Sequence, residues 1–262
     1  MTPKTGTSHG HREDLMKVAI ITPYYRESPD ILMQCHESVL SQTHSCTHYL
    51  VADGYPQTFV DALDAMHIRL PKAHADNGNT PRAIGSLSAI NQGFDAIAYL
   101  DADNWYSPAH IESLVDMHRQ TGAVVCVSGR SIHRMDGSML MESDAGDGDD
   151  YFDTSCLLLT RKAFSLTPFW ALMPRLLSPV CDRIFWQAIR RKGYRWRCTE
   201  RATVAFRSQY IDHYVQKNEV PPPGAKGDMM KEMAQRWNGL SEEERKLYCD
   251  QMDLKLQIGN MN

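Results

Sequence analysis

Short apolar runs alternate with amphipathic stretches through the first half of the chain. Lys17-Val-Ala-Ile-Ile-Thr22 is apolar and β-branched, which predicts a strand buried on both faces and broken by Pro23. Ser28-Pro29-Asp30 places a capping side chain, a proline at the first helical position and an acid in the first turn. The helix it opens runs to about Gln42, with Leu32, Cys35 and Val39 on one face. Tyr49-Leu-Val-Ala52 predicts a second strand that ends in Asp53 and Gly54. A helix is expected from Phe59 to Met66 and a short strand from Ile68 to Leu70.

Asn77-Gly-Asn-Thr-Pro81 reads as a turn-rich loop, followed by Ala83, Leu87, Ile90 and Phe94 at helical spacing. Ile97 to Leu100 is a further apolar run, and it stops abruptly at Asp101 and Asp103. Ser107-Pro108 opens a capped helix ending near Gly122, and Ala123 to Val127 predicts another strand. Strands alternating with helices of this length imply βαβ units, an α/β fold and a mainly parallel sheet flanked by helices. The second half is less regular. Glu142 to Asp153 is acidic, Ser155 to Thr160 is strand-like, and Cys181 to Lys192 is an amphipathic helix. Val220-Pro-Pro-Pro-Gly224 marks a boundary, beyond which Asp228 to Trp237 and a capping box at Ser241-Glu-Glu-Glu244 predict two helices. The expected organisation is a loose tail over 1–14 and a main domain over 15–219, with halves 15–105 and 106–219. A helical C-terminal extension over 220–262 completes it.

Composition narrows the function classes. A net charge of −4, from 28 basic and 32 acidic residues, argues against a nucleic-acid binder held by bulk charge. No stretch approaches the roughly 20 apolar residues of a membrane helix, and Met1 to Glu13 lacks the apolar core of a signal peptide. Seven cysteines without framework spacing fit a reducing compartment, so a cytoplasmic setting is expected, with peripheral membrane association left open. There is neither a G-x-G-x-x-G fingerprint nor a P-loop. The acids of the Glu142–Asp153 loop miss EF-hand spacing, since position twelve from Asp144 is Ser155. Cys35, His36, His44, Cys46 and His48 match no structural zinc pattern.

The strand ending at Asp101 and Asp103 carries the strongest chemical signal. Open parallel sheets bind ligands outside the carboxyl ends of their strands. Two hard oxygen donors this close suit Mn²⁺ or Mg²⁺, which in turn suits a diphosphate.

From about Lys17 to about Tyr214 the order of pieces resembles a family 2 glycosyltransferase with the GT-A (Rossmann-like) fold. Ile20-Ile-Thr-Pro-Tyr-Tyr-Arg-Glu27 resembles the family's opening strand and donor loop, and Val51-Ala-Asp-Gly54 its acidic second strand tip. Ser38-Val-Leu-Ser-Gln-Thr43 is similar to the helix end between them. Tyr99-Leu-Asp-Ala-Asp103 matches the metal-binding signature, and Cys181-Asp182 with Phe185-Trp186 falls where the family carries its base helix. The resemblance implies a metal-dependent, inverting transfer from a nucleoside-diphosphate sugar, UDP favoured over GDP, to a glycan or other hydroxyl acceptor. It assigns Pro23, Tyr25 and Glu27 to the base and ribose, Asp53 to the base edge, and Arg82 to the phosphates. Asp101 and Ala102 meet the donor, Asp101 holding the ribose or the metal through water. Asp103 is the direct metal ligand, His213 a candidate third ligand, and Asp182 the general base. Trp170, Trp186 and the acidic loop fall in the acceptor region. Two departures stand out: Ala83 replaces the asparagine that usually follows the arginine, and Cys181 replaces the first acid of the usual pair.

Two other readings remain. A nucleotidyltransferase needs a glycine- and lysine-rich loop near its first strand, and Thr22 to Ser28 contains neither residue. A catalytically degenerate sugar-nucleotide-binding module is opposed by the presence of Asp101, Asp103 and Asp182.

Overall fold

The strand β1 (Val18–Tyr24) is buried along its whole length, as its apolar run demands. In the computed structural model, which describes residues 15–144 and 152–256, it pairs in parallel with β2 (Cys46–Asp53). Pro23 does not end the strand. Pairing with β4 (Ala96–Tyr99) stops at Ile21, so beyond it β1 keeps one neighbour and tolerates a missing N–H. The expected tail over 1–14 and the centre of the acidic loop lie outside the described residues.

Helix α1 (Pro29–Leu40) starts where the sequence signals, although the Ser28 hydroxyl makes no capping bond. The predicted Phe59–Met66 helix is instead one 3₁₀ turn, Thr58–Ala62, and Met66 opens β3 (Met66–Leu70). Only Val60 of that turn is buried, too small an apolar face to extend the helix against pairing with β2. Helix α2 (Asn79–Asn91) begins inside the predicted loop, after Gly78 at φ 81°. It buries small residues such as Ala83, Gly85 and Ala89, whereas Leu87 is half exposed. Those small residues let it sit close to the sheet, since a Cβ on Gly85 would lie 2.6 Å from Ile21 Cγ2.

Next come β5 (Trp105–Tyr106), α3 (His110–Thr121) and β6 (Val125–His133). Helix α3 ends at Gly122 as predicted, but its N-cap is Ala109 rather than Ser107, with no side-chain cap. Then follow β7 (Met139–Asp144), β8 (Leu157–Thr160), α4 (Phe169–Leu172), α5 (Cys181–Arg191) and β9 (Trp196–Arg207). The chain closes with α6 (Ile211–Val215), α7 (Met229–Asn238) and α8 (Glu242–Met252), the last opened by the Ser241–Glu244 capping box. Sheet order is β3-β2-β1-β4-β8-β6-β9-β5, with β7 paired to β6. Parallel pairing rules the first half. From β8 onward the sheet is mixed, because β8 runs antiparallel to both β4 and β6 while β9 runs parallel to β6.

The period-two alternation of the central strands sorts the core into two layers. Ala19, Ile21, Ile97 and Tyr99 face α2, α5 and the C-terminal helices, while Val18, Ile20, Ala98 and Leu100 face α1 and α3. Met233, Trp237, Met252 and Leu254 of the C-terminal segment belong to the first layer, which makes that segment part of the main core. Trp170 and Trp186, expected near an acceptor, are core residues at 1% and 0% exposure. Trp170 stacks on Phe185 at 4.0 Å between ring centroids and meets Tyr99 edge-on at 5.4 Å. Truncation of a buried tryptophan typically costs about 3–5 kcal/mol, and Trp170→Ala is expected to fall in that range, read from urea unfolding.

Candidate active site at the tip of β4

Strand β4 delivers its acids to the carboxyl end of the sheet, beside the end of β1. A cleft of about 640 Å³ opens there. The residues that the resemblance assigns to donor, metal and base line it: Pro23, Tyr25, Glu27, Asp53, Arg82, Asp101, Ala102, Asp103, Asp182 and His213.

Asp101 and Asp103 sit in different surroundings. Asp101 forms an ion pair with the Arg82 guanidinium, and its backbone N–H donates to Ser155 Oγ at 3.2 Å. Asp103 has no salt bridge among the described residues. Burial, then the charges of Asp101 and Glu27, push its carboxyl up to about 7. Among the described residues no three His, Cys, Asp or Glu side chains are grouped to hold a metal unaided.

Arg82 is almost completely buried, and its surroundings explain how that is tolerated. Besides Asp101, it donates to the Asn77 carbonyl at 2.8 Å and lies 5.2 Å from the Trp170 ring centroid. Asn77 belongs to a short loop in which Ala75 (φ 51°) and Asn77 (φ 52°) both adopt left-handed backbone. Non-glycine residues there are strained and cluster at functional sites. Asp76 anchors the loop by accepting from Thr80 N–H at 2.9 Å, and Asn77 Nδ2 donates to Ser178 O at 3.2 Å. The sequence predicts only a turn-rich loop over Asn77–Pro81 here. Arg82, expected at the phosphates, lines the cleft and pairs with Asp101.

Asp53 also has partners. The His74 backbone N–H donates to it at 3.1 Å, and the His74 ring lies 2.6 Å from the same oxygen. Gly54, at φ 81°, allows the chain past, since a Cβ there would sit 2.2 Å from Ala73 N. At the rim, Tyr25 and Tyr55 meet edge-on at 4.7 Å, with the Arg26 guanidinium 4.1 Å from the Tyr55 ring. Glu27 accepts from Tyr25 N–H at 2.6 Å, which shapes the turn after β1.

Across the cleft, Asp182 lies in the first turn of α5, where the helix dipole favours an anion. Burial, then the charge of Asp153, outweighs that and pushes its carboxyl up to about 6. Burial pushes the adjacent Cys181 thiol up to about 12, so it stays protonated and is no nucleophile. Asp153 and Arg130 form a buried ion pair at 2.9 Å, unnoticed in the sequence. The sequence carries little signal for it, because Arg130 follows the apolar Val125-Cys-Val127 within the polar stretch Ser128-Gly-Arg-Ser131. Arg207 was also missed; it donates to the Asp103 carbonyl at 3.2 Å and reaches Gln34 at 2.5 Å. His213 shares a hydrogen bond with Ser208 Oγ at 2.7 Å.

The fold is similar to that of GT-A glycosyltransferase structures, α/β proteins built on such a sheet. Residues 19–177 match the family described as "Glycosyl transferase family 2", and the chain belongs to that family. The succinoglycan biosynthesis protein ExoW of Rhizobium meliloti (strain 1021) is 29% identical over 103 residues, covering 37% of this chain and 32% of that protein. The match thus spans about a third of that relative's length. Among solved structures, S. aureus TarS 1-349 in complex with UDP aligns with a TM-score of 0.55 at 13% identity, covering 90% of this chain and 70% of that one. A longer TarS structure aligns at 0.53 with 13% identity, covering 90% of this chain and 43% of its own.

The raised Asp103 carboxyl has a consequence for stability. An acid with a higher pKa in the folded state makes unfolding release protons, so stability falls as pH rises from about 4 through about 7. Asp103→Asn is therefore expected to melt a few degrees above the parent at pH 8 without added metal, and level with it at pH 4, by differential scanning calorimetry.

Proposed function

We propose that the protein is a metal-dependent inverting glycosyltransferase that moves a sugar from a nucleoside-diphosphate donor, UDP favoured, to an acceptor hydroxyl. The observation that carries the proposal is the arrangement around one cleft: paired acids just after β4, and a helix-borne carboxylate with a pKa of about 6 lining the same space. UDP is favoured because a solved structure sharing the fold is a UDP complex. A role in polysaccharide synthesis follows the description of the ExoW relative.

The donor nucleotide lies along Pro23, Tyr25, Glu27 and Asp53, where an aromatic ring and carboxylates can meet a base and a ribose. Asp101 and Ala102 border the diphosphate, and Arg82 acts through Asp101 by fixing its carboxylate. Asp103 and Asp101 supply hard oxygens to Mn²⁺ or Mg²⁺, with phosphate oxygens completing the shell and His213 a further candidate donor. The raised Asp103 carboxyl fits this role, since a cation relieves the charge that neighbouring acids impose. When bound, the cation neutralises the departing diphosphate as a Lewis acid.

Asp182 takes the proton of the acceptor hydroxyl as that oxygen attacks the anomeric carbon from the face opposite the diphosphate. One C–O bond forms and the carbon–phosphate oxygen bond breaks, its electron pair leaving with the nucleotide, so configuration inverts. A base with a pKa near 6 is ionised at neutral pH yet basic enough to accept a proton. All seven cysteines are free thiols and no helix among the described residues is long and apolar enough to cross a membrane, which suits a cytoplasmic setting.

Asp182→Asn is expected to lower turnover by roughly 10²–10⁴-fold, with UDP affinity unchanged by calorimetry. In the parent, kcat/KM should fall about tenfold per unit as pH drops below about 6, following protonation of Asp182. Unchanged turnover in the variant removes Asp182 from the base role. Mn²⁺ with UDP should raise the parent's melting temperature by mass action and leave Asp103→Asn unmoved.

A further inference from the structure

The wall of the cleft beyond Asp182 lies outside the stretch that carries the family match, which ends at residue 177. It is built by Phe206 at the end of β9, Tyr210 just after it, and the Lys226–Met230 segment leading into α7. We propose that Tyr210 and the Lys226–Met230 strap form the acceptor subsite, and that its ligand is a pyranose ring presented as a glycoside. The inference rests on the transferase reading above and names the substrate class of that site.

Several features hold the strap in place. Lys226 N–H donates to Gln209 O at 2.7 Å, and Ile211 N–H donates back to Lys226 O at 3.0 Å, so the strap pairs with the chain at Tyr210. The Asp228 carboxylate caps α7 by accepting from Lys231 N–H at 3.0 Å. Helix α7 packs on the Arg175–Val180 turn, the element that leads into Asp182. Its Met233 and Trp237 are buried in the main core. The strap is therefore fixed relative to the base at two points.

The chemistry of this wall suits a sugar ring. Tyr210 and Phe206 are near-parallel, at 22° and 6.2 Å between centroids, and both are only half buried on the cleft. An aromatic face offers apolar contact for the C–H face of a pyranose, while the phenol hydroxyl and neighbouring charged heads meet its hydroxyls. The Lys226 ammonium lies 5.8 Å from the Tyr210 ring, and Asp212 and Asp228 border the same space. Donors and acceptors thus surround an aromatic platform, the pattern of a polyol site rather than of a lipid or a bare phosphate.

Saturation-transfer NMR on the full chain with Mn²⁺ replaced by Mg²⁺, UDP present and a panel of methyl glycosides of common hexoses tests the idea. At least one glycoside is expected to receive saturation from the parent, and Tyr210→Ala should weaken it at least tenfold while the UDP signal stays. Tyr210→Phe should retain most of it. Gly227 offers a second variant, because a Cβ there meets nothing within 4 Å. Gly227→Trp adds bulk on the strap from a Cβ that meets no neighbour, and it should block the glycoside and leave UDP bound. Glycoside signals untouched by Tyr210→Ala and Gly227→Trp overturn the subsite, as does the absence of any glycoside signal beside a clear UDP signal. Loss of UDP binding together with the glycoside in both variants also overturns it. Absence of the UDP signal in the parent counts instead against the transferase reading.

Discussion

A buried guanidinium held against a carboxylate at a strand tip is the constraint on which the site depends. Arg82 has almost no exposed surface, and a charge in that position is tolerated only with a partner in place. Asp101 is that partner, with Trp170 beneath and the Asn77 carbonyl beside it. The pairing separates two acids that are near neighbours in sequence. Asp101 is paired from within the protein, whereas burial and the nearby acids raise the Asp103 carboxyl so that it takes up protons more readily.

The sheet's change of direction completes the surroundings of those acids. Because β8 runs antiparallel to β4, its start lies beside the end of β4, with Leu158 opposite Ala98. Asp153 and Ser155 therefore arrive at the tip that carries Asp101, and Ser155 binds the Asp101 backbone. The Arg130–Asp153 pair, on β6 and just before β8, then stands near Asp182, where the Asp153 charge raises the pKa and the Arg130 charge opposes it. A wholly parallel sheet would have sent that loop to the opposite end.

The C-terminal segment enters the same logic through packing. Its apolar residues join the layer that also holds α2 and α5, so burial of Trp237 and Met252 fixes the strap over the cleft. The free energy of closing the core thus also places the wall beyond Asp182.

Much of this was legible in the sequence because it is local. The buried runs of β1 and β4, the acids that follow β4, the capping box of α8 and the glycine stop of α3 each reflect a periodicity or a backbone preference that a few residues express by themselves. The donor, metal and base residues named from family likeness sit at strand tips and helix starts that neighbouring sequence sets, and the sheet order brings them to one cleft. What only the tertiary structure decided is partnership. The tie between Arg82 and Asp101 spans 19 residues, the hydrogen bond between Asp53 and His74 spans 21, and the Arg130–Asp153 pair spans 23. None of these has a signature at such separations, because a charge records its partner only once the chain has brought the two out of water together. The same holds for Trp170, Trp186 and the predicted Phe59–Met66 helix, whose fates were set by which neighbour covered them.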